Sequence, residues 1–185
     1  PIGTSLEQTG FRGTLTLRPE TAMQVIRDLA DEIETQNFDR WVIVNGHGGN
    51  FFLNPVVRDI NRANRRLKII LVNFWEFSDP DITAGGWTDG WQDFHSGVWE
   101  TSLMLALAPE MVGPERIDRP APAPGDKLPL GKGDLSTFGF GYLAPEGPAG
   151  KPSLATREKG ERIVSSLKRN IIPFIKDRLA RLDAM

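Results

Sequence analysis

Two short, uninterrupted apolar runs constrain this chain most: Trp41-Val42-Ile43-Val44 and Ile69-Ile70-Leu71-Val72. Each is too short for a helix and carries β-branched residues, so each reads as a strand buried on both faces. Amphipathic helices precede and separate them. Over residues 20–36, Met23, Val25, Ile26, Leu29, Ala30 and Ile33 recur at spacings of three and four, with Pro19 suited to the first turn. A second helix follows Asn50, with Phe51, Phe52, Leu53, Val56, Val57, Ile60 and Ala63 on its apolar side and Pro55 tolerable only in its first turn. Apolar strands alternating with helices predict an α/β fold, a three-layer α/β/α arrangement around a mostly parallel central sheet.

The rest of the chain is less regular. Residues 1–18 read as loop or short strand, with an alternation at Gly13-Thr14-Leu15-Thr16-Leu17, and residues 78–94 read as a loop rich in Gly, Asp and Trp. A helix is expected from Gly97 to Leu107, ended by Pro109. Residues 113–135 are proline-rich and read as extended chain, and Phe138-Gly139-Phe140-Gly141-Tyr142 as a short strand or a loop at the site. The last helix spans about residues 156–182, and Pro173 is expected to kink or split it.

Composition excludes several classes of function. With 185 residues, 1–185 is expected to form a single domain. A net charge of −2 gives no support for nucleic-acid or membrane-surface binding. No apolar run approaches the roughly 20 residues of a membrane span. The chain has no cysteine, which removes disulfides and thiolate ligands and fits a cytoplasmic protein.

The chain has only two histidines, and both lie in unusual motifs. His47 sits in Val44-Asn45-Gly46-His47-Gly48-Gly49-Asn50, directly after the first apolar run. Ligands bind beyond the carboxyl ends of strands in open α/β sheets, and glycines such as Gly48 let backbone approach a ligand closely. His47 is therefore a candidate metal ligand; the blander alternative is a glycine-rich turn, with Asn50 capping the next helix. His95 precedes a helix whose first turn holds Glu100. His95 is a candidate proton shuttle or substrate ligand, and Glu100 either a site carboxylate or a complement to the helix dipole. Trp75, Trp87, Trp91 and Trp99 crowd around these motifs. Trp75 and Trp91 are candidates for the wall of a substrate pocket, whereas Trp99 on the helix suits a core or subunit contact. The acids Glu76, Asp79, Asp81, Asp89 and Asp93 lie nearby, where loop aspartates more often cap turns than hold metal.

There is no phosphate-binding loop, serine elbow, HExxH or dinucleotide fingerprint. Metal-assisted hydrolysis suits a few His and carboxylate side chains better than acyl transfer through serine.

The segments Asn45-Gly46-His47-Gly48-Gly49-Asn50 and His95-Ser96-Gly97-Val98-Trp99-Glu100-Thr101-Ser102-Leu103-Met104-Leu105 resemble the creatininase (creatinine amidohydrolase) family. So do the glycine-rich stretch at residues 10–21 and Gly150-Lys151-Pro152-Ser153-Leu154-Ala155-Thr156. The resemblance implies a three-layer α/β fold, a two-metal site holding Zn or Mn, hydrolysis of a cyclic or linear amide of a small molecule, and a homo-oligomer, commonly a hexamer. It makes His47 a metal ligand, His95 the proton-transfer histidine, and Trp75 and Trp91 pocket walls. The family's Glu-x-His pair and following Asp have no counterpart here, so about 60 N-terminal residues are expected to be missing relative to a usual domain. Gly49 and Val98 stand where members of the family carry glutamates. Beside the hydrolase stand two other expectations, a non-catalytic small-molecule-binding relative and a structural subunit.

Overall fold

The computed structural model describes residues 3–63, 65–83, 87–88, 93–119, 137 and 139–184. The chain divides into two compact units: residues 1–6, 15–77 and 169–185 in the first, and residues 7–14 and 78–168 in the second.

The first unit is built on a strand–helix–strand element. Helix α1 (Pro19–Thr35) begins at Pro19, which supplies a pre-set φ where no intrahelical donor is needed. It ends in a left-handed Asn37 (φ 67°), with the Asn37 and Phe38 N–H groups returning to the Glu34 and Ile33 carbonyls. Strands β1 (Arg40–Asn45) and β2 (Lys68–Asn73) pair in parallel, Arg40 opposite Lys68 and Asn45 opposite Asn73. Between them runs α2 (Leu53–Arg62), which buries Leu53, Val56, Val57 and Ile60 at the spacing of one helical face. These side chains pack with Ala22, Ala30, Phe52, Leu67 and Ile69 into one core. The parallel pair confirms the α/β fold inferred from the apolar runs.

At one rim of this core the Glu34 carboxylate accepts the Leu67 N–H (2.9 Å) and two Arg65 guanidinium N–H groups. The Leu67 amide first, then Arg65, holds the Glu34 carboxyl below its ordinary range.

The second unit contains the short helix α3 (Pro80–Thr83), α4 (Val98–Leu107), the single turn α5 (Phe140–Leu143) and α6 (Arg157–Asp183) up to residue 168; the remainder of α6 belongs to the first unit. Helices α4 and α6 approach closely at Gly160. A Cβ there would stand 1.9 Å from the Ser102 carbonyl oxygen and 2.7 Å from the Ala106 Cβ. Two fully buried serines find backbone partners: Ser102 Oγ accepts the Thr156 N–H and Ser166 Oγ the Asp79 N–H.

The structure narrows three open readings of elements. Residues 13–17 are not a strand: Leu15 is 93% exposed, and the Leu17 N–H makes a single bond to the Gly3 carbonyl. The stretch around Phe140 is a helical turn that follows Gly139 at φ 72°. Pro173 does not split α6, which continues to Asp183; its ring lies on the exposed face, where water can serve the backbone. Among the described residues no helix is long and apolar enough to cross a membrane.

Candidate functional site

In the first unit, β1 and β2 end on the same edge because they are parallel. His47 lies two residues beyond β1, and Trp75 lies in the 3-10 turn that follows β2, Phe74–Phe77. Trp75 is 37% exposed and meets Phe74 edge-on, with ring centroids 5.7 Å apart. The loop carrying His47 is held by side-chain amides. Asn45 Oδ1 accepts the His47 N–H (3.2 Å) and an Asn50 Nδ2–H (3.0 Å), while Asn45 Nδ2 donates to Asn73 Oδ1 (3.0 Å). Asn50 Oδ1 accepts the Thr4 N–H, and the Thr4 hydroxyl donates to the Gly49 carbonyl (2.6 Å). Asn50 is thus committed to the loop and is no cap for α2, whose first flanking residue, Phe52, makes no side-chain cap bond. Gly48 faces open space, where a Cβ would meet nothing within 4 Å.

His47 Nε2 lies 3.1 Å from the Ser5 hydroxyl. Among the described residues no three His, Asp or Glu side chains converge as a metal-binding group. These residues therefore offer a metal one imidazole, already engaged by Ser5, and do not by themselves fit a two-metal centre.

In the second unit, His95 is fixed by backbone. Its N–H donates to the Ala149 carbonyl, and its carbonyl accepts the Ala149 N–H (2.7 Å). Its ring tilts against Phe140 with centroids 4.4 Å apart. The Gln8 amide lies 3.4 Å from Nε2, and Glu100 Oε2 lies 3.9 Å from Nδ1. With the Gln8 amide donating, Nε2 accepts and the ring proton sits on Nδ1, toward Glu100. Glu100 also reaches back from the first turn of α4 to accept the Ser96 N–H (2.5 Å). Ser96 itself is held at φ 49°, a left-handed conformation costly for a residue with a Cβ. The structure therefore brings His95 and Glu100 together. Glu100 satisfies backbone just before the helix start and faces the imidazole.

A cleft of about 370 Å³ opens beside this pair, lined by Ser96, Glu100, Thr101, Met104, Met111 and Glu146, among others. That volume is in the range of small-molecule sites, about 300–1,000 Å³. Trp91 and Asp89 lie outside the described residues. Trp87 packs against the Lys159 ammonium and the Arg162 guanidinium, 5.6 and 5.1 Å from its ring centroid.

In the sequence Asp93 is one loop acid among five. In the structure Asp93 Oδ1 accepts the Val98 N–H (2.8 Å) and Oδ2 the Trp99 N–H (2.7 Å), the first two amides of α4. It lies four residues before the flanking Gly97, so a search for an adjacent cap misses it.

A family model described as creatininase, creatinine amidohydrolase, matches residues 1–175. The chain is 31% identical over 182 residues to a creatinine amidohydrolase of Pseudomonas putida, covering 90% of this chain and 66% of that one. It is 31% identical over 166 residues to a mycofactocin precursor peptide peptidase of Mycobacterium ulcerans, covering 89% and 59%. The chain thus spans less than two thirds of each of these relatives. Two solved structures share the fold: a creatininase designated Mn (TM-score 0.70, 26% identity) and a mutant creatininase designated Zn-Zn type (TM-score 0.69, 27% identity). Each match covers 96% of this chain and 72% of the other.

Proposed function

The chain belongs to the creatininase family, and on that premise we propose that it serves a metal-dependent hydrolase acting on the C–N bond of a small cyclic or linear amide. The observation that carries this reading is the setting of His95. One ring nitrogen faces the Gln8 amide, the other faces Glu100, and the backbone bridge to Ala149 fixes the ring's base. A half-buried imidazole so held suits proton transfer to a leaving amine, with Glu100 favouring the charged ring that forms. The cleft beside Glu100 is large enough for a small amide. Separately, the family resemblance assigns Trp75, Trp91 and Gly48 to substrate contact. Cyclic and linear amides are both included because one relative is named for creatinine and the other for a peptide.

His47 is assigned as a ligand to a divalent metal, Zn or Mn, in keeping with the designations of the solved relatives. Bound metal would supply Lewis-acid activation of water or of the amide carbonyl. The described residues alone do not complete such a centre. The proposal extends to one creatininase-like domain over 1–185, a cytoplasmic location and a homo-oligomer, a hexamer by family pattern. The bond between Ser5 and His47 favours a second reading, a non-catalytic relative that binds a small molecule.

The test is His95→Ala assayed on a panel of cyclic amides and short peptides, with metal content measured in parallel. Turnover is expected to fall by about 10²–10⁴-fold with metal unchanged. Loss of metal would make His95 a ligand, and binding without turnover in the parent protein would favour the second reading.

A further inference from the structure

Asp93 lies at the junction of the two backbone stretches that set His95. Its carboxylate holds the first two amides of α4, the helix whose first turn carries Glu100. It also fills a cradle that two glycines leave open. A Cβ on Gly97 would fall 1.5 Å from Asp93 Oδ1, and one on Gly150 would fall 2.5 Å from it and 3.0 Å from the Gly97 Cα. Gly150 is bridged to Arg119, and its neighbour Ala149 is bridged to His95. The carboxylate therefore sits where the start of α4 and the 149–150 segment meet. The glycines at 97 and 150, which belong to separate motifs in the sequence, share one physical reason.

We propose that Asp93 is a positioning residue for the His95–Glu100 pair: it ties the start of α4 to the 149–150 segment and so holds the Glu100 carboxylate on the Nδ1 side of His95. This rests on the reading of His95 as the proton-transfer residue. A helix anchor alone would need only the two amide bonds. Here Oδ1, which accepts the Val98 N–H, also requires both glycines, and those glycines flank the backbone that bears the imidazole. Burial pushes the Asp93 carboxyl upward, against the two amides that hold it down.

The chain has two histidines, so the His95 imidazole can be followed individually by proton NMR. Asp93→Asn is shape-conserving but sets an NH₂ against one of the two amide donors. Removing a carboxylate from beside an imidazolium lowers its titration midpoint. Asp93→Asn and Glu100→Gln are expected to shift the His95 midpoint downward by the same amount. The double variant should shift it no further. In Asp93→Asn, kcat is expected to fall by about 10–100-fold through misplacement, with KM changed less than about threefold. A folded Asp93→Asn variant with an unmoved His95 midpoint would make Asp93 a helix anchor and overturn the proposal. So would additive shifts in the double variant. If Asp93→Asn does not fold, Val98→Pro decides, because proline at the first helical position removes one of the two donors and leaves the carboxylate intact. A smaller downward shift of His95 supports the proposal and no shift overturns it. The NMR result does not depend on turnover, so failure of the catalytic reading and failure of the positioning role are read separately.

Discussion

Gly160→Ala tests the packing of the second unit. Two effects oppose each other. Alanine is favoured over glycine inside a helix by about 0.8–1 kcal/mol. Against that, the new Cβ would lie 1.9 Å from the Ser102 carbonyl oxygen and 2.7 Å from the Ala106 Cβ. Ordinary carbon contacts sit near 3.5–4.0 Å, so α4 and α6 must separate by more than about 1 Å. The obstacle is backbone, which cannot rotate away as a side-chain tip can. Overpacking typically costs about 1–3 kcal/mol, and a clash with a helix carbonyl belongs at the upper end. Separation also stretches the bond from the Thr156 N–H to Ser102 Oγ, worth about 0.5–1.5 kcal/mol. The clash wins, and a net loss of about 2–3 kcal/mol is expected. With a urea m-value of about 2–3 kcal/mol/M, the unfolding midpoint should drop by about 1 M at unchanged m. Circular dichroism and tryptophan fluorescence should report the same shift. A variant as stable as the parent, or more stable, would show that propensity dominates and would refute the close approach.

Three further outcomes follow from local geometry. The Glu34 carboxyl is lowered from its ordinary 4.5, so its contribution is complete above about pH 4.5 and is lost as pH falls through the folded-state value; Glu34→Gln should therefore differ most from the parent near neutrality and progressively less in acid, and a pH-independent difference in urea titrations would contradict this. Asn50→Ala removes bonds to Asn45 and Thr4 and should cost about 1–3 kcal/mol in thermal unfolding, whereas exposed Asn54→Ala should stay within about 0.5 kcal/mol. Gly48→Ala meets open space and needs no positive φ, so it should melt like the parent while raising KM; unchanged kinetics would remove Gly48 from the substrate contacts.

Elements whose burial is periodic are legible in the sequence. Leu53, Val56, Val57 and Ile60 mark one face of α2, and the unbroken apolar runs mark β1 and β2, because burial of a face leaves its period in the chain. The position of His47 just past β1 is legible for the same reason. What stays hidden depends on partners distant in sequence. The alternation at residues 13–17 resembles a strand, yet a strand exists only through a neighbour's ladder, and Leu17 N–H finds one carbonyl. Asn50 suits a helix cap by type, but its amide is taken by Asn45 and Thr4, the latter 46 residues away. Asp93 is hidden among other loop acids, and the signal that sets it apart lies in the glycines at 97 and 150. The approach of Glu100 to His95 is not legible in the sequence, which places the two residues only on either side of a helix start.

The amide pair at the end of the sheet bears on how the two strands find each other. Residues 41–44 and 69–72 are nearly uniform in chemistry, and a strand of such composition can slip along its neighbour at little cost in burial. Asn45 and Asn73 break that degeneracy. In the native alignment they stand opposite each other and join side chain to side chain at 3.0 Å. A shift by one residue would put Asn45, which is 5% exposed, against Val72 and leave a buried amide without its partner. That penalty is of order 1–3 kcal/mol, enough to disfavour the slipped form by about 5- to 150-fold. The same Asn45 side chain, through its Oδ1, accepts the His47 amide, so correct alignment of the strands and correct placement of the imidazole depend on one residue. A chain that mispairs its strands cannot present His47 in its native loop, so on the proposed role of His47 such molecules would lose function outright rather than change selectivity.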